Sequence, residues 1–163
     1  MITLVIGGAR SGKSAVAEGI VARLDRPVTY LATMVPYPGD ADLSARLHRQ
    51  RARRDPSWTT IEPPYDLAQV LARTDDVVLV DSLGPWVALN SGEVDPIRLV
   101  DALRARRAPT VLVSEEVGLG VHPETEAGRA FRDELGLVNQ AIAEAADRCL
   151  FVVAGRVLPL ERW

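Results

Sequence analysis

Residues 2–14 read ITLVIGGARSGKS. The first five, ITLVI, form a continuous apolar run rich in β-branched side chains. Stopped by Gly7-Gly8, such a run suits a strand buried on both faces, as in a parallel sheet. Gly7 to Ser14 satisfies G-x-x-x-x-G-K-[ST]. Val16, Ile20 and Leu24 follow near one stripe and predict a helix over 13–24. Strand, glycine loop and helix are the context in which this motif binds a polyphosphate. Gly7 and Gly12 allow tight turning, and Gly8, Ala9, Arg10 and Ser11 supply further backbone N–H groups. The helix start adds its positive dipole end. Lys13, expected on an exposed loop, reaches the β and γ oxygens as a flexible point charge, and the Ser14 hydroxyl is suited to ligate Mg²⁺. Nucleoside triphosphate binding is the first functional expectation.

Outward from that motif, apolar runs alternate with helical patterns. Strands are expected at 28–32, 77–80, 110–113 and 150–153, and helices near 43–54, 66–73, 97–107 and 126–146. Residues 33–42 and 117–125 read as loops, and 82–94 follow no clear pattern. The alternation predicts one three-layer α/β domain over 1–163, a P-loop nucleoside triphosphatase fold with a mostly parallel sheet.

Composition limits the function classes. The chain has 163 residues, 47% hydrophobic and 25% charged, the ordinary balance of a globular domain. A net charge of −3 gives no basic field to attract nucleic acid. The start lacks a signal peptide's pattern, and no apolar stretch approaches the length of a membrane span. The single cysteine, Cys149, makes no internal bridge, and a reduced, cytoplasmic setting is expected. Of 19 basic residues only Lys13 is lysine. Whatever bias replaced the others left this one, a hint that arginine cannot do its work.

Two acidic residues end apolar runs. Asp81 closes VVLVD at 77–81 in the manner of a Walker B carboxylate, which holds Mg²⁺ directly or through water. It also fits a simple cap of the following segment. Glu115 and Glu116 follow TVLVS at 110–114 and compete for the same crevice. The basic stretch Arg46, Arg49, Arg51, Arg53 and Arg54 reads either as a solvated helix face or as a lid over the triphosphate. His48, alone on that helix, reads as a surface residue or as a nucleophile.

Beyond the phosphate loop, several stretches carry a resemblance. They are YLAT at 30–33, the R-x₇-R-x₃-W-x₃-E pattern of Arg46, Arg54, Trp58 and Glu62, and VLVD at 78–81. The run VSEEVGLGVHPETEAGRAFRDELGLVNQ at 113–140 and VVAG at 152–155 complete them. Together they resemble the bifunctional adenosylcobinamide kinase/adenosylcobinamide-phosphate guanylyltransferase family of cobalamin biosynthesis. The resemblance implies a RecA-like sheet, ATP and GTP as substrates, Mg²⁺, a corrinoid acceptor and a cytosolic homotrimer. It ranks Glu116 ahead of Glu115 as catalytic, beside Lys13 and Asp81. It also implies nucleotide contacts from residues 7–14, from Ala32, Thr33 and Met34, and from Arg51, Ala52, Arg53, Arg54, Glu62 and Asp81, with Ser14 and Asp81 on the metal. The implied chemistry is phosphorylation of the aminopropanol hydroxyl, then GMP transfer from GTP through a guanylylated histidine.

The chain departs from the pattern at that histidine. Four residues after Arg46 and eight before Trp58 stands Gln50. An amide nitrogen has no basic lone pair and forms no phosphoramidate. His48 lies two residues earlier, about 200° around a regular helix. The kinase expectation is untouched by this, and the transferase expectation rests on His48. The competing readings are a nucleotide-binding regulatory protein without catalysis and a P-loop kinase for another small alcohol.

Overall fold

The computed structural model describes residues 1–34, 39, 41–62 and 66–162, without the side chains of residues 41–43, 46, 50 and 53. Half of the expected loop at 33–42 falls outside the described residues, and its last two residues already belong to the helix Ala41–Arg53. The strands are β1 (Ile2–Gly7), β2 (Val28–Ala32), β3 (Thr59–Ile61), β4 (Val77–Asp81), β5 (Thr110–Glu115), β6 (Arg148–Val153) and β7 (Arg156–Leu160). The helices are α1 (Lys13–Ala22), α2 (Ala41–Arg53), α3 (Leu67–Arg73), α4 (Leu83–Leu89), α5 (Pro96–Ala105) and α6 (Glu126–Ala145). One seven-stranded sheet has the order β3-β2-β4-β5-β1-β6-β7. All neighbouring pairs are parallel except β6 with β7. The expected α/β fold with a mostly parallel sheet is what forms. β5 separates β1, which carries the phosphate loop, from β4, which ends in Asp81.

The inner strands are apolar throughout because helices cover both faces. On one face Leu4, Ile6, Leu31, Val78, Val80 and Leu112 pack beneath residues of α3 to α6, including Leu71, Trp86, Leu103 and Leu135. On the other, Val5, Tyr30, Leu79, Val111, Val113 and Val152 pack with Ala17 and Val21 of α1. Alternate residues of one strand thus enter different cores. Helix starts follow local chemistry: the Asp66 carboxylate accepts from Gln69 N–H, Asp95 from Ile97 and Arg98, and Thr125 from Gly128. Pro96 occupies the first turn of α5, where its missing N–H costs nothing.

Three elements differ from expectation. β3 has three residues, too few to leave a period-two pattern. The unassigned stretch 82–94 contains α4, whose Leu83, Trp86 and Val87 are buried. After β6 the chain turns through Ala154 (φ 50°) and Gly155 (φ 72°) into β7. Positive φ at both central residues is the geometry of a two-residue hairpin. Pro159, which argues against an inner strand, is accommodated because β7 lies at the sheet edge. The turn bears on the site: Gly155 N–H donates to the Ser11 carbonyl at 2.8 Å.

Arg106 closes the opposite end of the sheet. Its guanidinium donates to the Leu71 carbonyl (2.6 Å), the Asp76 carbonyl (2.6 Å), Thr110 Oγ1 (2.8 Å) and the Thr74 carbonyl. Burial lowers its pKa, opposed by Asp75 and Asp76. Arg106→Met should strip partners from several carbonyls and lower unfolding stability by about 2 kcal/mol. Urea unfolding of the two proteins checks this, and an unchanged midpoint would make the cluster dispensable.

Candidate active site

The site forms where β1, β4 and β5 end, on the carboxyl side of the sheet, the usual ligand crevice of open α/β sheets. β1 stops at Gly7, and the loop to α1 turns through Arg10 (φ 57°) and Gly12 (φ 95°). A side chain at Gly12 would be strained by its φ and would sit 3.4 Å from the Gly155 Cα. The loop is therefore held on its outer side by the β6–β7 turn. Ala9 and Arg10 are exposed, Gly8 is half-buried and Ser11 is buried with its hydroxyl unpaired.

Lys13 is not on an exposed loop as the sequence suggested. It is the first residue of α1 and only 5% exposed. Its Nζ donates to the Gly8 carbonyl at 3.3 Å and lies 3.5 Å from Glu115 Oε1. That carboxylate is fixed from two further directions, accepting from Ser82 Oγ (2.7 Å) and from Gly84 N–H (2.9 Å). A Cβ at Gly84 would run into Glu115 Oε2, so a side chain there would push the carboxylate aside. Glu116, ranked ahead of Glu115 on resemblance, has its Oε1 engaged elsewhere. That oxygen accepts from Gly118 and Leu119 N–H within its own loop. β5 extends to Glu115, which pairs with Gly7, so the earlier glutamate meets the phosphate loop.

Asp81 ends β4 and is buried. Ser14 Oγ donates to its Oδ1 at 3.1 Å, bringing the two expected metal ligands together. Its Oδ2 accepts from the Tyr30 hydroxyl at 2.6 Å. Beside it, Ser82 N–H donates to Thr33 Oγ1 at 2.8 Å, and that hydroxyl donates back to the Ser82 carbonyl. Thr33 and Ala32 are thus buried next to Asp81, and Met34 is half-buried.

A second cluster flanks this centre. Arg51 Nη2 pairs with Glu62 Oε2 at 2.8 Å, and Arg54 Nη1 with Glu62 Oε1 at 3.4 Å. Arg54 also lies 3.8 Å over the Tyr30 ring, which stacks on Trp58 at 6.3 Å between centroids. Arg51, Arg54, Trp58, Thr60 and Glu62 line an open cavity of about 630 Å³. Arg51 on α2 and Arg54 just beyond its end therefore converge on one carboxylate. The side chains of Arg53 and Gln50 lie outside the described residues. Ala52 and His48 are exposed, and His48 stands one helical turn before Arg51. The other histidine, His122, contacts Arg132 through Nδ1 at 2.8 Å on the surface.

Tyr30, Ser82 and Gly84 were not singled out from sequence. Tyr30 carried a faint signal, since a buried tyrosine in an aliphatic strand needs a partner for its hydroxyl. Among the described residues no group of three or more His, Cys, Asp or Glu could hold a metal by itself, and no helix is long and apolar enough to cross a membrane.

Comparison with known proteins bears on the fold and the family. A solved structure from Pyrococcus horikoshii OT3 superposes with a TM-score of 0.53 at 12% identity, covering 97% of this chain and 84% of that one. An ATPase from a bacterial type III secretion system superposes with a TM-score of 0.54 at 12% identity, covering 92% of this chain and 50% of that one. At such identity these likenesses concern the fold alone. Sequence relatives are closer. The bifunctional adenosylcobalamin biosynthesis protein CobP of Pseudomonas aeruginosa is 40% identical over 171 residues, 99% of this chain and 98% of that protein. The bifunctional adenosylcobalamin biosynthesis protein CobU of Salmonella typhimurium is 35% identical, covering 95% of this chain and 97% of its own. Residues 3–160 match the family described as cobinamide kinase / cobinamide phosphate guanyltransferase, and the chain belongs to that family of transferases.

Proposed function

We propose that this chain transfers the γ-phosphoryl group of ATP or GTP to the aminopropanol hydroxyl of adenosylcobinamide. The observation that carries this reading is the convergence of Lys13, Ser14, Asp81 and Glu115 at the ends of three adjacent strands. Phosphoryl transfer asks for positioning and charge neutralisation more than for covalent chemistry. The loop N–H groups and Lys13 hold the β and γ oxygens. Lys13 exchanges Glu115 for phosphate when nucleotide enters. Glu115, still fixed by Ser82 and Gly84, then accepts the proton of the attacking hydroxyl. The new O–P bond forms as the bond from Pγ to the β-phosphate oxygen breaks, and the nucleoside diphosphate leaves. Ser14 and Asp81 are oxygen donors of the kind Mg²⁺ takes, and they are the residues that would hold it; the ion would neutralise charge on the β and γ oxygens.

The nucleotide's remaining contacts fall to Thr33, Met34 and the Arg51–Arg54–Glu62 cluster, where Arg54 Nε is buried and unpaired. The homotrimer and cytoplasmic setting implied by resemblance belong to the same proposal. An apolar sheet edge at Val157, Leu158 and Leu160, each at least 45% exposed, supports association between copies.

The test supplies purified protein with γ-³²P-labelled ATP or GTP, Mg²⁺ and adenosylcobinamide. Label should move to the corrinoid, and no transfer with either nucleotide would refute the reading. Asp81→Asn should raise the Mg²⁺ concentration for half-maximal rate by about tenfold, as expected for weakening one charge-assisted contact. The nucleotide requirement should change less. Equal small changes in both would reduce Asp81 to a structural partner of Ser14 and Tyr30.

A further inference from the structure

We propose that Tyr30 is a positioning residue that aims Asp81 at the metal face of the site and ties that face to the Arg54–Trp58–Glu62 cavity. The proposal rests on the reading of Ser14 and Asp81 as the Mg²⁺ ligands. Its basis is a continuous chain of contacts. Glu62 Oε1 lies 3.4 Å from Arg54 Nη1, and Arg54 lies 3.8 Å over the Tyr30 ring. The Tyr30 hydroxyl donates to Asp81 Oδ2 at 2.6 Å, and Asp81 Oδ1 accepts from Ser14 Oγ at 3.1 Å.

Each link has a physical reason. β2 and β4 pair in parallel with Ala32 opposite Asp81, so Tyr30 stands one same-face position before that partner. Its ring is wholly buried in the α1-side core, which leaves the hydroxyl little freedom. At 2.6 Å from a carboxylate oxygen, which can only accept, the hydroxyl is the donor of this contact. Because it occupies Oδ2, the carboxylate cannot rotate freely, and Oδ1 is presented to Ser14. A phenylalanine there would keep the packing and lose only the aim. The shape of the core does not call for that oxygen, because aliphatic residues fill the neighbouring positions of the same face.

The experiment measures binding of a non-hydrolysable fluorescent GTP analogue during Mg²⁺ titration, so turnover is not required. Wild type, Tyr30→Phe, Asp81→Asn and the double variant are compared. Tyr30→Phe should raise the Mg²⁺ midpoint about fivefold to tenfold, a part of what one hydrogen bond to a charged group is worth, because Asp81 itself remains. Binding without Mg²⁺ and the melting temperature should change little. The double variant should be no worse than Asp81→Asn, since the two act through one carboxylate. An unchanged midpoint in Tyr30→Phe, or additive effects in the double variant, overturns the role of Tyr30. An unchanged midpoint in Asp81→Asn overturns the metal reading beneath it, and the two failures are distinct. Should Tyr30→Phe not fold, ¹⁹F spectra of protein bearing 3-fluorotyrosine give the answer. The chain has three tyrosines, so Tyr37→Phe and Tyr65→Phe assign the Tyr30 signal. That signal should shift when Mg²⁺ joins bound nucleotide in wild type and stay fixed in Asp81→Asn. A signal indifferent to Mg²⁺ in wild type refutes the proposal.

Discussion

Lys13→Ala should leave the protein folded and lower phosphoryl transfer by at least about a hundredfold, the usual cost of removing one donor aimed at transition-state charge. Lys13 is the sole lysine among 19 basic residues, in a chain that otherwise uses arginine. It is 5% exposed, with Nζ held between the Gly8 carbonyl and Glu115. A buried ammonium is ordinarily a risk to stability when its partner is left behind. Here the partner is not stranded, because Glu115 keeps the Ser82 hydroxyl and the Gly84 N–H and remains 21% exposed on its side chain. The melting temperature should therefore move by only a few degrees while turnover collapses. Lys13→Arg should not restore activity. A planar guanidinium cannot act as a compact point charge between two phosphates. Single-turnover transfer of γ-³²P, read beside circular dichroism melts, separates chemistry from folding. A variant retaining most of its rate would remove Lys13 from the phosphate site.

The same residues show how far the sequence alone could be read. The phosphate loop was legible because its motif sits between two elements of unmistakable pattern, an apolar run and a helical stripe. β4 and β5 were legible because strands buried on both faces are continuously apolar. The choice between Glu115 and Glu116 depended instead on where β5 ends. Ending that strand at Val113 leaves both glutamates in a loop, whereas the ladder continues to Glu115 opposite Gly7. A shift of one residue turns a side chain to the other face, so register decides which carboxylate meets Lys13. β7 was hidden by Pro159 and by a turn built on Ala154-Gly155 in place of the commoner Asn-Gly signal. Tyr30 was absorbed into an apolar strand because its partner, Asp81, lies 51 residues away. Contacts of that kind belong to topology, and periodicity is blind to them. The cavity beside α2 needed the structure for the same reason. Arg51 and Arg54 gain a purpose only when β3 brings Glu62 against them.

The second large effect is expected at position 50. Wild-type protein incubated with α-³²P-labelled GTP and Mg²⁺ should take up little acid-labile label, and Gln50→His should create it or raise it severalfold. A phosphoramidate needs a nucleophilic nitrogen with a free lone pair, which glutamine lacks. The chain has two histidines. His122 is exposed and engaged with Arg132, ten residues further along the chain. His48 is exposed on α2, about 200° from position 50 on a regular helix. Position 50 lies within the last turn of α2, close in sequence to Arg51 and Arg54, which reach Glu62, and it is the position at which the resembled pattern carries its histidine. His48 is not remote, however, because Arg51, one turn later, also reaches Glu62. The assay therefore includes His48→Ala. Robust wild-type labelling that disappears in His48→Ala would make His48 the guanylylated residue and overturn the prediction. A Gln50→His protein that gains no label would show that α2 does not present position 50 to the α-phosphorus. Kinase turnover should be unchanged in both single variants, because the γ-phosphoryl group is handled by Lys13, Ser14, Asp81 and Glu115 at the strand ends and not by α2.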